Sequence, residues 1–228
     1  MDKNNSKIFL IDDDKEIRVG ISLLLKSIGY NIESFTSVSE FLEFADHTGP
    51  GCILLDIFLG EETGLEMQSK IEIKFETLPI IYITGQGNIP MSVQAMKKGA
   101  INFLQKPIDD KELFNAIEEG LKRSSTLITK NYEIEKFKSL VNSLTAREYE
   151  IFRYVITGML NKQIAAELGI AEHTVKNHRL NITEKLGVKS VAEMINIADK
   201  LNIKGAIVNH TSQDSLNTSS LPINRNID

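Results

Sequence analysis

Long apolar runs are missing from this chain: no stretch approaches the roughly 18–20 residues needed to cross a bilayer. The opening residues, Met1 to Ser6, are polar and lack the apolar centre of a secretory signal. Both absences point to a protein that stays in the cytoplasm. Cysteine is nearly absent as well. The single copy, Cys52, excludes an internal disulfide, which agrees with a reducing compartment. It lies in an apolar run and reads as a small buried hydrophobe, not a reactive thiol. No G-x-G-x-x-G follows the first strand pattern, which excludes a dinucleotide-binding domain. No internal repeat is present.

What is present is the composition of a soluble globular protein. The chain has 228 residues, 42% hydrophobic and 25% charged, enough for one large domain or two modest ones. The net charge of −5 is unevenly spread. Residues 1–122 hold 12 Lys and Arg against 20 Asp and Glu, and residues 123–228 hold 14 against 11. An acidic half followed by a mildly basic one suggests two modules with different partners. The basic excess concentrates at 173–189, where Lys176, Arg179, Lys185 and Lys189 stand against one acid, Glu184, with His173 and His178 nearby.

The first half alternates short apolar runs with helical patterns. The runs 8–11, 32–35, 53–55, 80–83 and 101–104 read as strands. Ile17, Ile21, Leu24, Leu25 and Ile28 make one apolar helical stripe, and Val38, Phe41, Leu42 and Ala45 another. Ser37 with Glu40, Thr63 with Glu66 and Asp109 with Glu112 are spaced as capping boxes, and Pro90 suits a first helical turn. Five strands alternating with five helices predict an α/β doubly wound parallel sheet, five-stranded. Residues 123–142 carry no strand signal. They read as a partly helical linker with a break at Ser124-Ser125-Thr126, followed by helical spacing of Ile134, Phe137, Leu140, Val141 and Leu144.

From 143 to 204 the pattern is all helix. Thr145 with Glu148 and Ser190 with Glu193 open helices, Asn161 is a third cap, and Gly169 and Gly187 end two helices. A helix from Glu172 to Leu186, set across a short turn from its predecessor, makes a helix-turn-helix. Residues 205–228 are rich in Asn, Ser and Thr, have no periodicity, and read as a disordered tail.

Ligands of a doubly wound sheet bind at the carboxyl ends of its strands. Here those ends carry Asp12-Asp13-Asp14, Asp56, Thr84-Gly85 and Lys106-Pro107. A single Asp after a strand is often only a loop residue or helix cap, and Asp14 fits that description. Four strand ends bearing complementary groups are harder to explain in that way. Gathered carboxylates repel, and a divalent cation with hard oxygen ligands, Mg²⁺, offsets them.

With these residues in place, 7–122 resembles the receiver domains of two-component response regulators. The matching stretches are IFLIDDD at 8–14, ILLD at 53–56, IYITGQG at 81–87 and GAINFLQKP at 99–107, and the run 83–107 looks especially like the FixJ subgroup. The resemblance implies that Asp56 is the phosphoacceptor and that a sensor histidine kinase is the donor. It implies Mg²⁺ held by Asp12, Asp13, Asp56 and the backbone carbonyl of Phe58. It also implies that Lys106 stabilises the phosphoryl group, that Thr84 bonds to it with room left by Gly85, and that Phe103 is the aromatic switch. The family usually has Met-Pro where this chain has Leu59-Gly60, so the loop Gly60-Glu61-Glu62 should be more flexible and more acidic. A phosphatase using an aspartate nucleophile would need a second carboxylate at Phe58, which excludes it. A receiver that has lost phosphate control is the other alternative.

Residues 143–203 resemble the LuxR-type helix-turn-helix, through LTARE at 144–148, NKQIA at 161–165, LGI at 168–170, TVKNHR at 174–179 and KLGVKS at 185–190. The resemblance makes the helix from Glu172 the recognition helix of a double-stranded DNA binder. Lys176, Asn177 and Leu180 would face bases, and Leu180 could reach only a thymine methyl. Thr145, Lys162, His173, Thr174 and Arg179 would face phosphates. His178 is expected to be a packing residue, and Ala171 stands where the family usually has Ser. The whole reads as a DNA-binding transcriptional regulator of the FixJ/NarL type. Phosphorylation would act through a homodimer using the fourth helix, fifth strand and fifth helix of the first half.

Overall fold

Branched and aromatic residues at adjacent positions, with no polar alternation, need cover on both sides, and a parallel sheet between helices supplies it. In a computed structural model, residues 5–43, 47–60, 62–85, 93 and 95–206 are described, with Glu62 and Thr63 as backbone alone. The chain forms two compact units, Met1–Glu133 and Ile134–Asp228.

In the first unit β1 (Lys7–Ile11), β2 (Asn31–Phe35), β3 (Gly51–Asp56), β6 (Ile80–Thr84) and β7 (Asn102–Gln105) form a five-stranded parallel sheet in the order β2-β1-β3-β6-β7. Successive side chains of a strand point to opposite faces. Phe9, Ile11, Ile53, Leu55 and Tyr82 therefore enter one core, with Phe35 and Phe41, while Ile8, Leu10, Cys52, Leu54, Ile81 and Ile83 enter the other. Burial pushes the Cys52 thiol up to about 12, so it is the inert hydrophobe expected.

Helices whose bounds lie within the described residues are α1 (Lys15–Ser27), α2 (Val38–Glu43), α3 (Gly64–Lys74) and α4 (Asp110–Asn142). Asp14 is the cap of α1: its carboxylate accepts from the N–H groups of Glu16 at 2.8 Å and Ile17 at 3.3 Å. Asp109 likewise accepts from Lys111 and Glu112. Ser37 accepts from Glu40, but the Glu40 carboxylate turns back one residue further, to Thr36. The expectations for Pro90, for Gln86-Gly87 and for the Thr63 side chain lie outside the described residues.

Two features differ from the expectation. The loop after Asp56 is a small antiparallel hairpin, β4 (Phe58–Leu59) on β5 (Glu62–Thr63), and Gly60 at φ +63° supplies the left-handed turn that two-residue hairpins need. The break at Ser124-Ser125-Thr126 does not occur either: α4 is helical throughout 123–142. Ser125 and Thr126 satisfy their hydroxyls on the carbonyls of Leu121 and Lys122, four residues back, which keeps the helix intact. Ser124 is fully buried; its Oγ donates to the Thr77 carbonyl at 2.6 Å and accepts from the Gly51 N–H at 3.1 Å.

The second unit packs α5 (Ala146–Val155), α6 (Asn161–Leu168), α7 (Glu172–Leu186) and α8 (Val191–Lys200) around Ile151, Phe152, Val155, Ile164, Val175, Ile182, Leu186 and Met194. The capping box of Thr145 with Glu148 is present, and Ser190 caps α8. Asn161 is not a cap. It is the first helical residue, and Leu160 occupies the cap position with its N–H donated to Gln163. Gly169 and Gly187 end their helices at φ +63°, a conformation that costs glycine little. Gly205 and Ala206 are bonded to α5: Arg153 donates to the carbonyls of Lys204 and Gly205, and the Ala206 N–H donates to the Arg153 carbonyl. Residues 207–228 lie outside the described residues.

Ser124→Ala would leave the Gly51 N–H and Thr77 carbonyl unpaired beside the sheet. The expected cost to the first unit is about 1–3 kcal/mol in urea unfolding. Faster hydrogen exchange at the Gly51 amide should accompany it, and an unchanged amide would disprove this account of Ser124.

Candidate functional site

The carboxyl edge of the sheet brings the acidic residues together. Asp12 follows β1 and is fully buried; its Oδ1 accepts from the Asp14 N–H at 2.9 Å. Its carbonyl accepts from Arg18, a contact not anticipated from the sequence. Asp56 ends β3, is nearly buried, and its Oδ1 accepts from the Phe58 N–H at 3.1 Å. Lys106 follows β7, and its ammonium donates to Asp12 Oδ2 at 2.7 Å and to Asp56 Oδ2 at 2.5 Å. Carboxylate oxygens of Asp12, Asp13 and Asp56 lie within 4.8 Å of one another. Asp13 is exposed, so the cluster opens to solvent on its side.

The electrostatics follow from this crowding. Burial first, and the Asp56 charge in addition, push the Asp12 carboxyl above its ordinary range, over opposing hydrogen bonds from Lys106 and the Asp14 N–H. For Lys106 burial pulls the other way, but the hydrogen bonds and charges of Asp12 and Asp56 outweigh it and keep the ammonium charged. Three hard carboxylate oxygens on one open edge fit a small divalent cation such as Mg²⁺.

Thr84 ends β6 and is fully buried, and its carbonyl accepts from the Lys106 N–H at 2.7 Å. Among the described residues nothing lies within 4 Å of where a Cβ at Gly85 would stand. Phe103, opposite Tyr82 in the β6–β7 ladder, is half-buried against the first core cluster. The backbone N–H of Gly64, the first residue of α3, donates to the Ile57 carbonyl at 2.8 Å, and any side chain there would collide with the Asp56 carbonyl oxygen. Residue order carries no sign of this constraint, because a glycine after a turn signal reads as ordinary loop.

In the second unit α7 buries Val175, Ile182 and Leu186 and exposes Lys176, Asn177 and Leu180. Lys162 and His173 are exposed and Thr174 is half-buried. Thr145 is exposed, but its hydroxyl is engaged as a cap. Arg179 is half-buried, and its guanidinium donates to the Met159 carbonyl at 3.4 Å; burial lowers its pKa from the ordinary guanidinium range. His178 is half-buried, and its Nδ1 meets no polar partner among the described residues, as a packing residue would. The orientation of α7 depends on a pair that the sequence did not single out. Glu148 on α5 is nearly buried and accepts from Lys185 on α7 at 2.6 Å and from the Thr145 N–H at 2.8 Å. The Lys185 bond, then the Thr145 N–H, hold the Glu148 carboxyl down at about 2.

Comparison with known proteins bears on both units. Residues 8–118 match the family model of the response regulator receiver domain, and residues 142–198 that of the bacterial regulatory proteins of the luxR family. The response regulator protein TodT of Pseudomonas putida F1 is 38% identical over 195 residues, 86% of this chain and 86% of that protein. The transcriptional regulatory protein FixJ of Bradyrhizobium diazoefficiens is 30% identical over 188 residues, 82% of this chain and 92% of that protein. Among solved structures, the response regulator StyR is similar with a TM-score of 0.72 at 41% identity, covering 86% of this chain and 99% of that one.

A carboxyl held below its unfolded value stabilises the fold above that value and loses the effect as pH falls. The Glu148 contribution should therefore be complete above its ordinary pKa of 4.5 and fade as pH drops toward about 2. Thermal unfolding of the second unit, compared with Glu148→Gln across this window, should show the difference shrinking with acid. A difference independent of pH would contradict the assignment.

Proposed function

The chain belongs to the DNA-binding response regulators of two-component systems, of the FixJ/NarL type, and from that membership we propose how its own residues carry the signal. Asp56 is the phosphoacceptor. A carboxylate oxygen attacks phosphorus, a new O–P bond forms, the P–N bond of the donor phosphohistidine breaks, and the imidazole nitrogen leaves with the electron pair. Phosphoryl transfer needs positioning and charge neutralisation more than covalent chemistry from the protein. The observation that carries the reading is the Lys106 ammonium lying between Asp12 and Asp56, where incoming phosphoryl oxygens would meet it.

Asp12, Asp13 and Asp56, with the Phe58 carbonyl, would hold Mg²⁺. When bound, the ion supplies positive charge against these carboxylates and the phosphoryl oxygens. Thr84 donates its hydroxyl to the phosphoryl group, beside Gly85, and Phe103 moves as the strand ends adjust. The only chemistry the chain performs is its own phosphorylation and dephosphorylation. We assign 7–122 to the receiver, 123–142 to the linker, 143–204 to the DNA-binding domain and 205–228 to the tail.

Added charge of roughly −1.5 to −2 biases the receiver toward a homodimer. Two DNA-binding domains then read half-sites about one helical turn apart. Lys176 and Asn177 face bases with Leu180 beside them, while Thr145, Lys162, His173, Thr174 and Arg179 lie toward phosphates. The polar surface and the donor chemistry suit the cytoplasm. Among the described residues no helix is long and apolar enough to cross a membrane.

With acetyl phosphate and Mg²⁺, mass spectrometry should show one added phosphoryl group on the wild type and none on Asp56→Asn; an unmodified wild type would remove the control mechanism. Lys176→Ala should weaken binding to a cognate operator by about 1–3 kcal/mol while leaving phosphorylation intact. Unchanged DNA affinity would defeat the base-facing assignment.

A further inference from the structure

Tyr82 is fully buried in the middle strand pair of the first unit, yet it brings a hydroxyl into an apolar core. A buried hydroxyl without a partner is costly. Its single proton is shared between two acceptors, Gln68 Oε1 at 3.0 Å and the Gly64 carbonyl at 3.2 Å. Burial pushes the phenol up, so it stays a donor. Gln68 is itself buried on α3, and its amide donates to Glu72 at 2.6 Å and to the Lys98 carbonyl at 2.6 Å. The Lys98 ammonium returns to α3, donating to the Leu65 carbonyl at 2.8 Å.

The two ends of this network are well placed. Gly64 closes the loop that begins at Asp56: its N–H bonds the Ile57 carbonyl, and its Cα packs on the Asp56 carbonyl oxygen. Lys98 lies in the turn that leads through Gly99, Ala100 and Ile101 into β7, which bears Phe103, and beyond it Lys106. Tyr82 is two residues before Thr84 and stands opposite Phe103.

We propose that Tyr82 and Gln68 are positioning residues that couple the end of the Asp56 loop to the Lys98 turn through one buried hydrogen-bonded relay. The proposal rests on the reading of Asp56 as phosphoacceptor. The hydroxyl fixes Gly64 and hence the loop against which Asp56 is held. The amide carries any displacement of α3 on to the turn before the strand of Phe103. Removing either group leaves buried partners unpaired and breaks the chain of contacts.

The test uses the full-length protein with acetyl phosphate and Mg²⁺, phosphorylation being followed by mass spectrometry. Amide hydrogen exchange at Gly99, Ala100 and Ile101 is measured before and after phosphorylation. Tyr82→Phe keeps the ring and removes the hydroxyl. It should still be phosphorylated, about three- to tenfold more slowly at saturating Mg²⁺, the scale of one lost buried hydrogen bond. The exchange change at the turn should be lost. Gln68→Met, which leaves Tyr82 in place, should lose the same change, and the double variant should be no worse than either single one. A merely structural role would lower thermal stability but preserve the phosphorylation-dependent exchange change. Wild-type rates and exchange in both variants, or independent additive losses, would overturn the relay. A wild type that accepts no phosphoryl group would instead overturn the Asp56 reading, and the relay with it.

Discussion

Two carboxylates held a few ångströms apart at the edge of a sheet repel each other. At an effective dielectric near 20 the repulsion is about 3 kcal/mol for unit charges at the spacing of this pocket. The Lys106 ammonium, donating to Asp12 and Asp56 together, offsets part of that repulsion. The offset is incomplete, because among the described residues only Lys106 pairs with the carboxylates of this cluster of three. A pocket with residual negative charge suits a divalent cation. The same excess keeps Lys106 charged despite its partial burial. The unequal count of charges is thus the origin of the site's chemistry, and the sheet exists around it as the frame that holds four strand ends in register.

Much of this frame could be read from residue order. The continuous apolar runs became strands because both faces of the sheet are covered, and alternate residues of β1 and β3 divide between two cores. Asp12, Asp13, Asp56, Thr84 and Lys106 were legible because each ends or follows a strand. What could not be read depended on partners distant in sequence. Ser124 looked like a helix break, since serine favours turns, and only the Gly51 N–H and Thr77 carbonyl turn it into a helix-to-sheet pin. The hairpin after Asp56 escaped notice because strands of two residues carry no periodic signal. Tyr82 was counted as one more apolar residue in a strand, though its hydroxyl was a visible hint that a polar partner must lie nearby.

The second unit shows the same division between local and distant information. Its caps and glycine stops were legible because they act within three or four residues, except at Asn161, where the helix begins one residue earlier than a side-chain cap requires. The Glu148–Lys185 pair was not, because 37 residues separate the partners. Its role is geometric: α7 presents Lys176 and Asn177 outward only if the helix keeps its rotation against α5. Glu148 is nearly buried and Lys185 half-exposed, so the pair ties the two helices together more than it stabilises them. Arg179 is divided between two tasks, since the Met159 carbonyl is within reach of the same guanidinium that would approach a phosphate.

The sealing of Cys52 has a practical side. The chain carries a single thiol, and it lies within the core with its pKa near 12, so almost none of it is thiolate at neutral pH. Maleimide and iodoacetamide reagents should pass the folded protein by. A cysteine introduced at an exposed position of α7 or α1 would be the sole reactive group, and fluorophores or spin labels could be attached there without first deleting the native residue. The wild-type background is chemically silent, and distance measurements between the two units can begin from it directly.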